Sequence, residues 1–351
     1  MNVAQRLGNP VLVEITRADL VESFHSGAAA VVHAQGQLLE AWGDVQRPIY
    51  ARSAIKPIQA LPLIETGAAD HFKLGEIEIA LACASHSGER QHIDAVANWL
   101  GRVGLSSDDL ECGSHSPLDV EAAESLICQG QSPSALHNNC SGKHAGFLTT
   151  ALHLGDPVRG YVRADHPVQC RVKAALAEMT DSELDNAPMG IDGCGIPVIG
   201  LSLCAMALGM ARLGRAEVLT GARADAAQKI VNAMIHEPFM VAGTHRICTD
   251  VIRATRGDAV IKTGAEGVFA GVLPRLGVGV AVKIDDGSSG AAEVAIVSLL
   301  RYLKVLDKTV VEILAERLDP VVRNHAGVIV GKRHAARGWL GLESALSTEF
   351  S

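Results

Sequence analysis

An α/β fold (α+β in detail) is predicted, with one antiparallel sheet formed from both terminal regions, flanked by helices, and a mainly helical lobe. Three observations lead there. Short β-branched or alternating runs lie near both ends of the chain, apolar residues between them recur at helical spacing, and no linker, repeat or low-complexity tract divides the 351 residues.

At the N-terminal end, Val11–Arg17, Ala28–His33 and Leu38–Trp42 read as strands, the last two joined through a turn at Gly36. Ile93, Val96, Ala97 and Leu100 then fall at i, i+3, i+4 and i+7, one face of a helix. Asp165-His166-Pro167 supplies a cap and a first-turn proline for a helix reaching about Met179. Pro197–Leu213, Ala222–Ile235 and Ala291–Leu306 also read as helices. Val268–Leu273 and the alternating Val278, Val280, Val282 and Ile284 form a hairpin around Pro274-Arg275. The expected organisation is a single two-lobed unit: residues 1–50 with 256–335 carry the sheet, 51–255 are mainly helical, and 336–351 form a tail. A cleft between the lobes is where an enzyme of this shape would work.

Composition narrows the function. The chain is 48% hydrophobic with a mean hydropathy of +0.20, which excludes disorder, and only 3% aromatic, so its core is built from small and branched aliphatic side chains. A net charge of −8 and a pI near 6.0 argue against nucleic acid or an anionic membrane as partner. No basic segment followed by an apolar one opens residues 1–25, and no uninterrupted apolar run reaches the roughly 18 residues of a membrane span. The eight cysteines include no C-x-x-C and are expected to be reduced thiols in a cytoplasmic protein.

The chemistry-bearing stretches begin with "ARSAIKPIQA". Ser53 and Lys56 are three apart, so on a helix they share a face. A serine needs a base to attack, and a lysine made neutral by burial or a neighbouring cation can be that base. S-x-x-K alone recurs by chance, and a structural lysine fits the spacing equally. A downstream Lys262-Thr263-Gly264 at a strand end changes the balance, because S-x-x-K followed by K-T-G is the pairing of class A β-lactamases and penicillin-binding proteins. The intermediate S-D-N of those enzymes is absent. "ACASHSGER" offers Ser85 and Ser87 in that region, and an ordinary turn describes it as well.

"HNNCSGKHAG" places Cys140 and Lys143 three apart, and "GIDGCGIP" carries Asp192 and Cys194 in a glycine-rich turn. Two cysteines on separate loops can chelate zinc, although from spacing alone two buried thiols explain them too. His236-Glu237 begins like a zinc-protease motif, but Met240 stands where its second histidine would be.

"RSAIKPIQA", "ASHSGE", "HNNCSGKHAGFL", "GIDGCGIP" and "KTGAEGVFAG", in this order, resemble the asparaginase II family of the Rhizobium etli type, over roughly residues 10–335. The resemblance implies a fold related to serine β-lactamases and glutaminases, hydrolysis of L-asparagine to L-aspartate and ammonia, and a homodimer. It implies two Ser-Lys tandems, Ser53 with Lys56 and Ser85 with Lys262. It also implies one zinc (Zn2+) per chain held by Cys140, Lys143 and Cys194, with Asp192 beside the metal.

Chemically, Ser53 deprotonated by Lys56 is expected to attack the side-chain amide, while Ser85 and Lys262 relay a proton. Arg52 is the candidate for the substrate's α-carboxylate, Asp192 for its α-ammonium, and His144 for support of the metal site. A zinc here is expected to shape substrate binding rather than generate the nucleophile. Three alternatives stay open: a penicillin-recognising hydrolase, a glutaminase-like serine hydrolase, and a non-catalytic protein that binds zinc or an amino acid.

Overall fold

The computed structural model describes residues 8–341. Its strands, in chain order, are β1 (Val11–Arg17), β2 (Leu20–His33), β3 (Leu38–Trp42), β4 (Ile49–Tyr50), β5 (Met189–Ile191), β6 (Pro197–Leu201), β7 (Val260–Gly264), β8 (Val268–Leu273), β9 (Val278–Ile284), β10 (Val321–Arg323) and β11 (Ile329–Ala335). Eight of them form one antiparallel sheet in the order β10-β11-β1-β2-β9-β8-β7, with β3 also paired to β2. Strands from both terminal regions therefore meet in the same sheet, as the α/β reading expects.

β2 is more than twice the length anticipated because it serves three neighbours, with Ala29–Val32 also pairing with β3. Leu20–Ser26 pairs with β1, and Gly27–His33 pairs with β9. The alternating β9 run is buried on both sides, so its small Gly279 and Ala281 face a covering helix rather than solvent.

Two expected elements shift for identifiable reasons. Pro197–Leu213 is not one helix: Pro197–Leu201 is β6, pairing with β4 and β5 in a separate three-stranded sheet, and the helix begins at Leu203. Ser202 divides them, its hydroxyl accepting from the Ala205 N–H at 3.1 Å, a cap worth about 1 kcal/mol. In the helix Arg90–Arg102 the buried face is His92, Val96, Trp99 and Leu100, with Ala97 exposed. Trp99 decides that rotation by donating Nε1–H to Thr149 Oγ1 at 3.0 Å, deep in the core. The helix Pro167–Thr180 starts as expected, with His166 as its cap. The last long helix runs Ser289–Tyr302, short of Leu306.

Beyond the sheet, Trp339 and Leu340 are buried, and Trp339 packs edge-on against Trp42 at 6.2 Å. The rest of the expected tail, 342–351, lies outside the described residues. Among the described residues no helix is long and apolar enough to cross a membrane.

Candidate active site

Lysines do not normally enter apolar cores, yet Lys56 and Lys262 are both fully buried. Lys56 opens the helix Lys56–Gln59, directly after the 3₁₀ turn Arg52–Ile55 that carries Ser53. Lys262 comes from β7, the last strand of the large sheet. β7 lies tight against that turn, since a Cβ on Gly264 would stand 2.8 Å from the Ala51 carbonyl oxygen.

Both amines converge on one hydroxyl. Lys262 Nζ donates to Ser85 Oγ at 2.7 Å, and Lys56 Nζ lies 3.1 Å from the same oxygen. Lys56 also donates to the Ala84 carbonyl and lies 3.2 Å from Cys140 Sγ. Lys262 in turn donates to the Thr263 carbonyl at 2.9 Å. Burial, followed by the charge of Lys56, pushes the Lys262 amine from its ordinary 10.5 down to about 7. Burial also lowers Lys56, with Lys143 adding to the shift and Cys140 opposing it.

Ser53 is placed differently. Its side chain is half-buried and makes no hydrogen bond to Lys56, whose partners are Ala84, Ser85 and Cys140. The i, i+3 expectation fails in this geometry because the pair straddles a junction of two short helices rather than sitting on one.

Beside Ser53, Arg52 adopts a left-handed φ of +51°, uncommon for a residue with a side chain. Its Nε and Nη2 both reach Asp192 Oδ1, at 2.9 and 2.8 Å, and the Gly193 N–H adds a third contact to that oxygen at 2.7 Å. Burial works against the Asp192 charge, but Lys143 and Arg52 outweigh it and hold the carboxyl below its usual range. Arg52 and Asp192 thus form one ion pair rather than two separate binding points. Asp192 Oδ2 and Arg52 Nη1 make no hydrogen bond among the described residues. The pair lines a pocket shared with Ile55, Gln59, Val172 and Met189.

The thiols form a second cluster. Cys140 caps the helix Ser141–Leu154, so Lys143 lies in its first turn; Cys194 arrives from the turn after β5. Lys143 Nζ donates to Cys194 Sγ at 3.1 Å. The neighbouring Cys194, then Lys56 and Lys143, against the effect of burial, pull the Cys140 thiol well below its ordinary range. Burial also opposes a charged Lys143, yet Cys140 and Cys194 raise it. Among the described residues no group of three or more His, Cys, Asp and Glu side chains is placed to hold a metal ion. The set here has a lysine as its third donor. Two thiols beside a buried amine make a sulfur and nitrogen donor set that suits zinc.

His144 does not reach this cluster. Its Nδ1 lies 2.8 Å from Tyr161 Oη, and that oxygen accepts the Glu111 N–H. Burial, then Lys143 and Lys56, keep the imidazole neutral. Its Nε2 is buried and has no hydrogen-bond partner among the described residues.

A family model described as L-asparaginase II matches residues 13–335. The chain belongs to the L-asparaginase II family. This makes it an amidohydrolase of that family, and the five motifs lie within the matched residues. No curated protein matches the chain. Among solved structures it is similar to Mglu in its native form, at 15% identity and a TM-score of 0.46, covering 86% of this chain and 70% of that one. It is also similar to Mglu in its tris and glutamate form, at 16% identity and a TM-score of 0.37, covering 85% of this chain and 63% of that one. A β-lactamase from Mycobacterium bovis is similar at 14% identity and a TM-score of 0.37, covering 83% and 94% of the two chains.

Sequence reasoning missed two groups around this L-asparaginase II family site: Glu89, which ends the Ser85 segment and accepts from Thr244 155 residues away, and Tyr161, which contacts His144 17 residues away. No local spacing announces them.

Proposed function

We propose that this chain hydrolyses L-asparagine to L-aspartate and ammonia. The observation carrying the proposal is the chain of contacts Lys56–Ser85–Lys262, two buried amines joined through one hydroxyl. Such a chain can take a proton from a nucleophile and return it to a leaving amine.

Ser53 is half-buried, directly follows Arg52 of the Arg52–Asp192 pair, and makes no side-chain hydrogen bond among the described residues. Ser53 Oγ attacks the side-chain amide carbon and gives its proton to neutral Lys56. Catalytic hydrogen bonds often close only when substrate is bound, which accommodates the missing Ser53–Lys56 contact. The C–N bond breaks, ammonia leaves with a proton returned through Lys56 and Ser85, and water hydrolyses the resulting ester. The substrate's α-carboxylate meets the free Arg52 Nη1, and its α-ammonium meets Asp192 Oδ2. A zwitterion matches that ion pair end for end.

A second reading makes Ser85 the nucleophile, favoured by the two amines on its oxygen. Trapping the acyl-enzyme and locating it by peptide mass spectrometry separates the two.

Cys140, Lys143 and Cys194 would hold zinc, which when bound would tie the two segments carrying them together and shape the substrate site near the Arg52–Asp192 pair. The protein works as a cytoplasmic homodimer, and its site lies at the seam between the sheet-bearing segments and the 51–255 lobe.

Ammonia release from asparagine and glutamine, beside nitrocefin turnover, tests the proposal. Ammonia from asparagine with intact nitrocefin is expected. Nitrocefin opening without ammonia release would replace it with a penicillin-recognising hydrolase, preferential glutamine turnover with a glutaminase. No turnover of any of the three would leave a binding protein.

A further inference from the structure

Ser85 lies on a segment without regular structure, Ala84–Glu89, which is nevertheless buried at Ser85, His86 and Ser87. Such a segment holds a side chain in place only if its polar groups are tied from outside. One side is tied to the thiol loop: the His86 N–H donates to the Asn139 carbonyl at 3.2 Å, and His86 Nε2 lies 2.8 Å from Ser141 Oγ. The other side is tied to residues 241–244. The Ser85 N–H donates to the Val241 carbonyl at 3.0 Å.

Glu89 completes that second tie. Its Oε1 accepts from Ser87 Oγ at 2.6 Å and from the Thr244 N–H at 2.7 Å, and its Oε2 accepts from Thr244 Oγ1 at 2.7 Å. One carboxylate thus bridges a residue two positions after Ser85 and a residue three positions after Val241. The approach is so close that a Cβ on Gly243, whose φ is +116°, would stand 2.0 Å from Ser87 Oγ and 2.5 Å from Glu89 Oε1. Glu89 also precedes the helix Arg90–Arg102, so the bridge is anchored to a rigid element.

We infer that Glu89 is a positioning residue for the proton relay, its carboxylate fixing Ser85 Oγ between Lys262 and Lys56. The inference rests on the relay proposed above. Glu89 touches neither lysine and acts only through the Ser87 and Thr244 contacts. Burial opposes its charge, but the bonds from Ser87 and Thr244 keep it ionised. Charge is not the essential property, however; the hydrogen-bond geometry is. A glutamine at this position keeps one oxygen for Ser87 and the Thr244 N–H, and its amide can donate to a reversed Thr244 hydroxyl.

The test compares Glu89→Ala, Glu89→Gln and Ser87→Ala with the wild-type chain, by asparagine kinetics and by crystal structures. Wild-type ammonia release comes first, and its absence defeats the functional reading without touching the geometry. Displacements of the order of 1 Å can cost up to about 10²-fold in rate, so Glu89→Ala should lose at least about tenfold in kcat with KM nearly unchanged. Glu89→Gln should recover most of that loss, and the Glu89→Ala crystal structure should show Ser85 Oγ moved away from Lys262. Ser87→Ala removes one bond, leaves the helix start intact, and should lose a few-fold in kcat even if Glu89→Ala proves insoluble. Wild-type kcat in Ser87→Ala, equal impairment of Glu89→Ala and Glu89→Gln, or an unmoved Ser85 oxygen in Glu89→Ala would each overturn the inference.

Discussion

The segments carrying Ser53 and Ser85 hold their hydroxyls by opposite means. Ser53 sits on a short-range scaffold, a 3₁₀ turn running into a helix, and its hydroxyl makes no hydrogen bond among the described residues. Ser85 has no local scaffold, yet its hydroxyl is gripped by two amines, one from 29 and one from 177 residues away. Freedom suits a group that must meet substrate. Fixity suits one that passes protons between neighbours, since proton transfer demands heavy-atom separations near 3 Å.

The largest expected effects break this comparison at the Ser53 end. Ser53→Ala and Lys56→Met should each lower kcat by about 10³-fold or more, and the double variant should be hardly worse, because a nucleophile and its base fail as a unit. Steady-state ammonia release measures all three. A Ser53→Ala enzyme with near wild-type kcat would move the nucleophile to Ser85.

Ser85→Ala should cost less, about 10²-fold in kcat, within the range of a lost proton-transfer group. It should still form an acyl-enzyme on Ser53, visible by mass spectrometry with a slowly hydrolysed substrate. Acylation abolished in Ser85→Ala but preserved in Ser53→Ala would reverse the two roles.

A pH profile sharpens the same contrast. Lys262 is a cation below its pKa and a proton acceptor above it, and its pKa lies at about 7. Acidification therefore removes the acceptor, and kcat/KM should fall about tenfold per pH unit below that point. Lys262→Met should lower the plateau and erase this limb. The same limb in Lys262→Met would assign the titration to another group.

Much of this site is legible in sequence, and the limit falls at contact range. The strands near both ends, the two lysines and the two cysteines can be picked out from runs and motifs a few residues long. The partner of Lys56 cannot. Spacing points to Ser53, three residues away, but the amine turns to Ser85, because only tertiary packing brings the Ala84–Glu89 segment to it. The same reason hides the Arg52–Asp192 pairing, 140 residues apart, and the Glu89–Thr244 tie. β6 is misread as helix because a five-residue apolar run carries no period of its own, and its pairing to β4 and β5 is equally non-local.

The smallest effect concerns the thiol cluster, which touches both halves of the comparison. Cys140 contacts Lys56, and Cys194 follows Asp192 by two residues, so the cluster borders the relay on one side and the substrate's charged end on the other. If its role were to supply the nucleophile, stripping the metal would cost kcat by orders of magnitude. In the proposed mechanism Ser53 and Lys56 supply the nucleophile, which makes that role redundant. Emptying the site should instead loosen the turn that carries Asp192, Arg52's partner, from the helix start that carries Cys140 and Lys143, and lost uniform binding appears in KM. Chelation, or Cys194→Ser, should raise KM for asparagine by about tenfold, the 1.4 kcal/mol equivalent of one modest contact, while saturating asparagine restores turnover. Metal analysis of protein purified without chelators should find about one zinc per chain, and readdition should return KM to its starting value. A folded, metal-stripped enzyme with no turnover at any asparagine concentration would move the metal into the reaction itself.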